Sequence, residues 1–300
     1  MKNTKRILAF VLAIFMVLSL CACSSDKGGE KNDIKTTEAQ ATASKNDAEA
    51  TEGAEVTEAL TESPEEQENG NEEEYNAGEI DPADLPDIIS VPESSTAAQS
   101  YFDDAAFVGD SVSLKLSYYA SSTGKLGKAQ FFTAGSLGSA NALWEISDES
   151  VHPYYKGEKT LVEDCVKLSG AKKVYIMLGM NDIGLYGVDG AIENYKTLIG
   201  KILEKAPNVQ IIVQSMTPMT DTSTILGSSL NNSSIKEYNA KLSQVCAAKG
   251  WYFVDVASVM YDAQGVNLNR SYCSDPDGLG VHFTEAGCEA WINYLYNHTI

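Results

Sequence analysis

Residues 174–178 read Val-Tyr-Ile-Met-Leu, and residues 209–213 read Val-Gln-Ile-Ile-Val. Continuous apolar and β-branched runs of this length are typical of parallel strands that helices cover on both faces. Further candidate strands lie at residues 106–108, 130–132 and 251–256. The chain therefore contains five candidate strands, all of them in its C-terminal two thirds.

Amphipathic helices are predicted between these strands and after the last one. Apolar residues recur with a helical period over residues 192–203 and 235–246, and Ser234 with Glu237 has the spacing of a capping box at the start of the second helix. Thr284 is the expected N-cap of a final helix. Alternating strands and helices predict an α/β fold, a three-layer αβα sandwich with a central parallel sheet of about five strands.

Short polar motifs follow three of the predicted strands. Residues 109–111 read Gly-Asp-Ser, residues 135–136 read Gly-Ser, and residues 179–182 read Gly-Met-Asn-Asp. In open parallel sheets, sites lie at the carboxyl ends of the strands, so these motifs are expected to meet at one edge of the sheet. Taken singly, each is better explained as an ordinary turn or helix cap.

The chain has three histidines, and only one is placed to act as a general base. His298 lies at the end of the last predicted helix, where a favourable interaction with the helix end explains it. His152 precedes a proline in a polar loop without a neighbouring serine or acid motif. His282 ends the Gly-rich segment 275–282 directly before the last helix, and such a loop can carry a base to a serine on another strand end.

The order of these motifs resembles that of the SGNH (GDSL-type) serine hydrolases over essentially all of residues 101–300. The resemblance implies a flavodoxin-like αβα fold and a carboxylic ester hydrolase, with Ser111 as the nucleophile and His282 as the general base. The oxyanion hole would consist of the backbone N–H groups of Ser111 and Gly135 and the side-chain amide of Asn181. No Gly-x-Ser-x-Gly motif occurs, which disfavours the ordinary α/β-hydrolase fold.

The acid of the triad departs from the family's pattern, in which an Asp lies three residues before the histidine. Here that position holds Leu279, and the nearest acids are Asp277 and Asp275, five and seven residues before His282. We predict that Asp277 orients His282, with Asp275 as the alternative. A third possibility is that neither does, and that a backbone carbonyl fixes the tautomer of the imidazole.

The N-terminus has the features of a bacterial lipoprotein signal peptide covering residues 1–23. Three basic residues precede an uncharged stretch from Ile7 to Leu20, which is too short to span a membrane comfortably. The stretch runs into Ala22-Cys23, and a small residue before a cysteine resembles the lipobox of bacterial lipoproteins. We predict that Cys23 is lipidated and anchors the protein at the cell surface, on the outer face of a bacterial cytoplasmic membrane. An ordinary cleaved signal is the alternative.

Residues 24–96 are predicted to be a disordered acidic linker, followed by an SGNH hydrolase-like domain over residues 97–300. Half of the 42 acidic residues lie between residues 24 and 100, where only four lysines accompany them and periodic apolar residues are lacking. Residues 81–92, with three prolines and a few apolar residues, are candidates to pack against the domain. A net charge of −20 argues against nucleic-acid binding, because phosphate contacts need a basic surface. The sequence contains no basic amphipathic helix, so no membrane contact other than the lipid anchor is predicted.

Four further cysteines lie in the predicted domain. Cys165 and Cys246 fall on apolar helix faces and are expected to be buried thiols. Cys273 and Cys288 bracket the His282 loop, where an exported protein can form a disulfide, although the sequence does not settle the pairing. No His or Cys spacing typical of a metal site occurs, so neither a metal nor another cofactor is expected.

Together these features predict a surface serine esterase that hydrolyses acyl esters, O-acetyl or short-chain, on carbohydrates through an acyl-serine intermediate. The carbohydrate substrate follows from the predicted location and the habits of the family. No long apolar lid is visible, which disfavours long acyl chains. Two alternatives stay open. One is an O-acyltransferase with the same triad, in which a sugar hydroxyl replaces water, and the other is a catalytically silent carbohydrate-binding domain, which the displaced acid would favour.

Overall fold

Alternating strands and helices fill the part of the chain that the computed structural model describes, residues 85–227 and 229–300. The strands are β1 Ala105–Gly109, β2 Gln130–Thr133, β3 Tyr154–Tyr155, β4 Glu158–Lys159, β5 Lys173–Met177, β6 Gln210–Gln214 and β7 Tyr252–Val254. The helices are α1 Ser111–Thr123, α2 Val162–Ser169, α3 Ile183–Lys205, α4 Asn232–Lys249 and α5 Glu285–Tyr296. Within these residues, none of the helices has the length and apolar character needed to cross a membrane.

Five of the strands form one parallel sheet in the order β2-β1-β5-β6-β7. Helices α1 and α5 pack together, and α2, α3 and α4 form a second packed group. Because β-α-β crossovers are right-handed, the reversal of strand order at β1 places the two groups on opposite faces of the sheet. The predicted three-layer αβα sandwich is confirmed. Strands β3 and β4 form a separate antiparallel hairpin that was not expected from the sequence.

The centre of the sheet is shielded from solvent on both faces. Every residue of β1 and β5 is buried. Phe107 on β1 stacks on Tyr175 of β5, with ring centroids 4.7 Å apart, and on Phe131 of β2 at 5.0 Å. Full burial of such a side chain stabilises the fold by about 1.5–3 kcal/mol. This two-sided burial explains why the central strands carry continuous apolar runs instead of an alternating pattern.

The strand order reverses between β1 and β5. The chain leaves β1 towards β2 on one side, whereas the later strands of the sheet are added on the other side of β1. The loops that follow β1 and β5 therefore diverge and leave a crevice at the carboxyl ends of these two strands, the usual position of a site in such sheets. Ser111 follows β1 and Asn181 follows β5, so both residues lie beside this crevice.

Two helices differ locally from their predicted form. Asn231 is the N-cap of α4: its side chain accepts the backbone N–H of Ser234 at 2.9 Å, and the Ser234 Oγ accepts the N–H of Asn231 at 3.0 Å. The predicted capping box of Ser234 and Glu237 is therefore wrong by three residues. Helix α3 is broken at Gly187, whose φ of 65° is left-handed. The prediction of Thr284 as the N-cap of the last helix is confirmed.

Residues 87–97, here called the N-terminal segment, pack beside the edge strand β7. The backbone N–H of Val91 donates to the carbonyl of Phe253 at 2.7 Å, and that of Ser94 donates to the carbonyl of Asn297 at 2.6 Å. The expected contact of the proline-containing stretch with the domain is confirmed for its described residues. The residues directly before the predicted boundary at residue 97 are hydrogen-bonded to the domain.

The predicted signal peptide, the lipidation site Cys23 and the linker up to residue 84 lie outside the described residues. They stay predictions from the sequence.

The N-terminal segment is expected to stabilise the domain although it contributes no strand or helix to it. A protein of residues 85–300 should be more stable than one of residues 98–300 by about 1–3 kcal/mol, because the shorter form loses the hydrogen bonds of Val91 and Ser94 and the apolar contacts of Val91. Equilibrium unfolding in urea, followed by circular dichroism, measures this difference. Equal free energies of unfolding for the two forms would show that the segment contributes nothing.

Candidate active site

Ser111 lies where β1 turns into α1. Asp110 is the N-cap of α1, and its Oδ1 accepts a hydrogen bond from the backbone N–H of Val112 at 2.9 Å. This cap makes Ser111 the first residue of the helix, so its side chain lies at the positive end of the helix dipole. An anion that develops beside Ser111 is stabilised there.

His282 reaches Ser111 from a position 171 residues further along the chain, and its Nε2 is 3.0 Å from the Oγ of Ser111. The His282 side chain is nearly buried. Its loop is closed by antiparallel pairing, since the N–H of Ser274 donates to the carbonyl of His282 and the N–H of Thr284 to the carbonyl of Tyr272, each at 2.8 Å. The structure thus brings the serine and the histidine into hydrogen-bond contact.

Asp275 contacts the imidazole of His282. Its Oδ2 is 2.8 Å from Nδ1, and its Oδ1 accepts the backbone N–H groups of His282 at 3.1 Å and Val281 at 3.3 Å. Partial burial favours the neutral acid, but the hydrogen bonds and the charge of His282 outweigh it and hold the pKa of Asp275 below its ordinary value. An ionised Asp275 keeps the imidazole proton on Nδ1, so that Nε2 can accept the proton of Ser111.

The prediction that Asp277 orients His282 is wrong, and a turn explains why. Residues 275–278 read Asp-Pro-Asp-Gly, and the N–H of the last residue donates to the carbonyl of the first at 2.9 Å. Proline fits the second position of such a turn, which leaves Asp277 at its tip. There Asp277 is exposed and pairs with Arg270 at 2.7 Å, which lowers the pKa of its carboxyl. The turn takes up the extra length of the loop and leaves the earlier acid beside the imidazole.

A second segment, residues 220–224, holds this turn in place. It donates several hydrogen bonds to it, among them those from the Thr224 N–H to the Gly278 carbonyl at 2.8 Å, from the Thr220 N–H to the Gly280 carbonyl at 3.0 Å, and from the Ser223 Oγ to the Leu279 carbonyl at 2.6 Å. Gly280 has a φ of 68°, and a Cβ at this position would collide with Thr220. The His282 loop is therefore packed closely against the segment that follows β6.

Asn181 lies between the loops that follow β1 and β2. Its Nδ2 donates to the carbonyl of Leu137 at 3.0 Å and is 3.4 Å from Oδ2 of Asp110, the residue before Ser111. The amide is only half-buried, so it borders the crevice. These contacts place Asn181 next to the start of α1.

Gly135 lies beside the end of β1 as well. Ala134 donates its N–H to the carbonyl of Gly109 at 3.2 Å, and the N–H of Gly135 has no hydrogen-bond partner among the described residues. Ser136 then holds a left-handed φ of 62°, which turns the chain sharply. The three predicted oxyanion donors are thus grouped at the carboxyl ends of β1, β2 and β5: Ser111, Gly135 and Asn181.

Two buried carboxylates without a predicted role hold these loops together. Asp182 accepts the backbone N–H groups of Ser139 and Ala140, each at 2.9 Å, and so ties the loop after β5 to the loop after β2. Asp110 caps α1 and faces Asn181. Burial raises the pKa of Asp110 to about 6 and also raises that of Asp182. Their one signal in the sequence is that they adjoin Ser111 and Asn181 in the strand-end motifs.

The four cysteines within the described residues are free thiols. Cys165 and Cys246 are buried on α2 and α4, as predicted. Cys273 and Cys288 are buried as well, and the disulfide considered for them is not formed.

Residues 136–290, more than half of the chain, match the model of the GDSL-like lipase/acylhydrolase family. The chain belongs to this family. The resemblance found in the sequence is confirmed, and the protein is a carboxylic ester hydrolase of the SGNH type. The match includes Asn181, Asp275 and His282, whereas Ser111 precedes it. For Ser111 it is the contact with His282 that identifies the residue as part of the same site.

Several solved structures are similar to this GDSL-like hydrolase at low sequence identity. A GDSL-like lipase from Bacteroides thetaiotaomicron is 16% identical, with a TM-score of 0.47 over 66% of this chain and 88% of its own. A candidate acylhydrolase from Bacteroides fragilis is 19% identical, with a TM-score of 0.48 over 71% of this chain and 89% of its own. A carbohydrate esterase of family 3 from Talaromyces cellulolyticus is 15% identical, with a TM-score of 0.43 over 63% and 93%. No curated protein matches the chain significantly.

The contacts of the two acids predict different consequences for activity in this GDSL-like hydrolase. Asp275→Asn keeps the size of the side chain but removes the charge beside Nδ1, and it should lower kcat by about 10³–10⁴-fold. Asp277→Asn should change kcat by less than about fivefold, because its partner is an exposed Arg270. Hydrolysis of p-nitrophenyl acetate measures both variants, which make the same chemical change in the same loop. A larger loss for Asp277→Asn would reverse the assignment of the acid.

Proposed function

We propose that the chain is a cell-surface serine esterase that hydrolyses O-acetyl or other short acyl esters on carbohydrates through an acyl-serine intermediate. One observation carries this proposal. Ser111 Oγ lies 3.0 Å from His282 Nε2, and His282 Nδ1 lies 2.8 Å from Asp275 Oδ2. A hydroxyl, an imidazole and a carboxylate in this order activate a neutral serine at neutral pH.

Acylation begins with an ester carbonyl beside Ser111. The Oγ attacks the carbonyl carbon while its proton passes to Nε2 of His282, and Asp275 holds the Nδ1–H of the resulting imidazolium. The tetrahedral oxyanion accepts hydrogen bonds from the N–H groups of Ser111 and Gly135 and from the amide of Asn181. Its collapse breaks the ester bond. The alcohol leaves with the proton from Nε2, and the acyl group stays on Ser111.

Asn181 would reach the oxyanion by exchanging the weaker of its two contacts. The distance of 3.4 Å from Nδ2 to Asp110 is long for a hydrogen bond, so this N–H is the one proposed to turn to the substrate. The bond of 3.0 Å to the carbonyl of Leu137 would keep the amide oriented meanwhile.

Deacylation repeats these steps with water as the attacking group. His282 removes a proton from the water, the second tetrahedral intermediate uses the same oxyanion donors, and its collapse returns the proton to Ser111 and releases the carboxylic acid. Asp275 orients the imidazole in both halves without itself accepting the proton.

A catalytically silent binding domain was an alternative because the family's position for the acid does not hold an Asp in this chain. Asp275 contacts His282 from another position in the loop, so this reason no longer applies. The acyltransferase alternative uses the same residues and differs only in whether water or a sugar hydroxyl attacks the acyl-serine. Product analysis with an added sugar acceptor separates the two. Free acid as the main product supports the esterase, and an acylated sugar as the main product would replace it with a transferase.

The proposed location rests on the N-terminal sequence. Residues 1–23 would direct export, Cys23 would carry the lipid, and the acidic residues that follow would separate the membrane surface from the domain. An enzyme anchored there meets acylated polysaccharides, which supports a carbohydrate ester as the substrate. The lack of a long apolar lid segment in the sequence supports a short acyl group.

Variants of the three site residues test the mechanism. Ser111→Ala and His282→Ala should each lower kcat for p-nitrophenyl acetate by about 10⁴–10⁶-fold, and the double variant should be little worse, because residues that act as one unit lose function together. Asn181→Ala should cost about 10²–10³-fold, the scale of one oxyanion donor. Mass spectrometry of the enzyme with a slowly turned-over ester should show an acyl adduct that Ser111→Ala lacks. Undiminished turnover by Ser111→Ala would sink the proposal.

Membrane fractionation of the full-length chain tests the anchor. The unchanged protein should fractionate with membranes, whereas Cys23→Ala should not be retained there after signal cleavage. Cys21→Ala is the matched control and should stay membrane-bound, because Cys21 follows the bulky Leu20 and not a small residue. Retention of a cleaved Cys23→Ala protein would refute lipidation at this cysteine.

A further inference from the structure

The thiol of Cys273 contacts the carboxylate that orients His282. Its Sγ is 3.2 Å from Oδ1 of Asp275, and the side chain is almost completely buried. Burial raises the pKa of this thiol to about 12, so it is protonated at neutral pH and donates to the carboxylate. Cys273 therefore supplies a fourth donor to Asp275, beside two backbone N–H groups and the imidazole.

Cys273 is itself held firmly in the loop. Its backbone N–H donates to the carbonyl of Arg270 at 3.2 Å, and it pairs with Phe283 in an antiparallel bridge directly after His282. The thiol and the imidazole thus approach Asp275 from the two opposed sides of the loop. Oδ1 receives the thiol and the backbone groups, and Oδ2 is left to Nδ1.

We propose that Cys273 is a positioning residue, whose S–H bond to Oδ1 acts together with the two backbone N–H donors to fix the rotation of the Asp275 carboxylate, so that Oδ2 faces Nδ1 of His282. This role rests on the proposed function of the triad. The terminal torsion of an aspartate side chain is broad, so its own preference does not decide which oxygen meets the imidazole. Donors on both oxygens decide it, in the way that supporting hydrogen bonds preorganise catalytic groups elsewhere.

The other buried cysteines provide the comparison. The Sγ of Cys288, on α5, and that of Cys246, on α4, make no hydrogen bond within the described residues, and Cys165 reaches only the carbonyl of Thr160, at 3.8 Å. These thiols fill space in the core. Cys288 is as buried as Cys273 and lies in the helix that follows the His282 loop, so it serves as the matched control.

Removal of the thiol changes the interaction between Asp275 and His282. The S–H donor draws charge to Oδ1 and holds Oδ2 against Nδ1, so its loss alters how strongly the carboxylate stabilises the imidazolium. Two further charged groups face this cluster, Arg270 on the side of Cys273 and Asp110 on the side of Ser111, and both are unchanged in the variants.

Three variants separate positioning from packing. Cys273→Ala should lower kcat about tenfold with KM within about twofold, and should displace the acid limb of the kcat/KM profile by about half a pH unit. Cys273→Ser retains a hydroxyl donor and should recover most of both effects. Cys288→Ala deletes an equally buried thiol and should leave the acid limb in place and kcat within about twofold.

A spectroscopic measurement makes the test independent of turnover. The proton between His282 Nδ1 and Asp275 gives a low-field ¹H NMR signal, which should shift in Cys273→Ala and not in Cys288→Ala. Neither this signal nor the position of the acid limb depends on the fraction of folded protein, so partial unfolding does not mimic the result. If Cys273→Ala changed neither the acid limb of the kcat/KM profile nor the ¹H signal, or if Cys288→Ala lost as much kcat, Cys273 would be a packing residue only. Absence of Ser111-dependent turnover in the unchanged protein would instead overturn the proposed function, and the NMR comparison would still decide the Cys273 contact.

Discussion

The Asp275 carboxylate accepts hydrogen bonds from both sides of the loop that carries His282. A charged group that is half removed from water needs such donors, and few loop conformations supply four of them at once. The same bonds that satisfy Asp275 therefore specify the loop, the tautomer of His282 and the direction of Nε2. Ser111 is placed differently, by the rigid end of β1 and the start of α1. The contact between His282 and Ser111 therefore joins a loop that polar hydrogen bonds hold in place to a helix that packs on the apolar core.

Carboxylates also organise the opposite side of the crevice. Asp182 gathers the N–H groups of the loop after β2, and Asp110 links the start of α1 to Asn181. Buried acids are costly unless hydrogen-bonded, so the loops are confined to the arrangement that satisfies them. Oxyanion donors have to be in position before the charge develops, and such a polar frame meets this requirement. The loops around the crevice at the reversal of strand order are thus held in place by two carboxylates, Asp110 and Asp182, which are assigned no chemical step.

Features with a local cause were predictable, and features that depend on the path of the chain in space were not. The five strands could be predicted from runs such as residues 174–178, because a strand that is buried on both faces requires apolar residues at consecutive positions. The acid was misassigned because distance along the chain says little once a turn folds it, although the Asp-Pro-Asp-Gly sequence itself indicates that Asp277 lies at a tip. Both Asn231 and Ser234 are good N-caps, so only the packed structure decides between them. The hairpin of β3 and β4 has strands of two residues, too short for any periodicity to show.

The N-terminal segment has a mechanical consequence. Its hydrogen bonds go to Ser243 and Gln244 on α4, to Phe253 at the edge of the sheet and to the end of α5, and not to the strands that present Ser111 and Asn181. A pull on the chain from its N-terminal side would therefore act first on the contacts with α4 and then on those with β7. These bonds can break one after another, whereas the central ladders of β1 and β5 lie inside the sheet. Force applied from the N-terminal side would then be taken up away from Ser111 and His282.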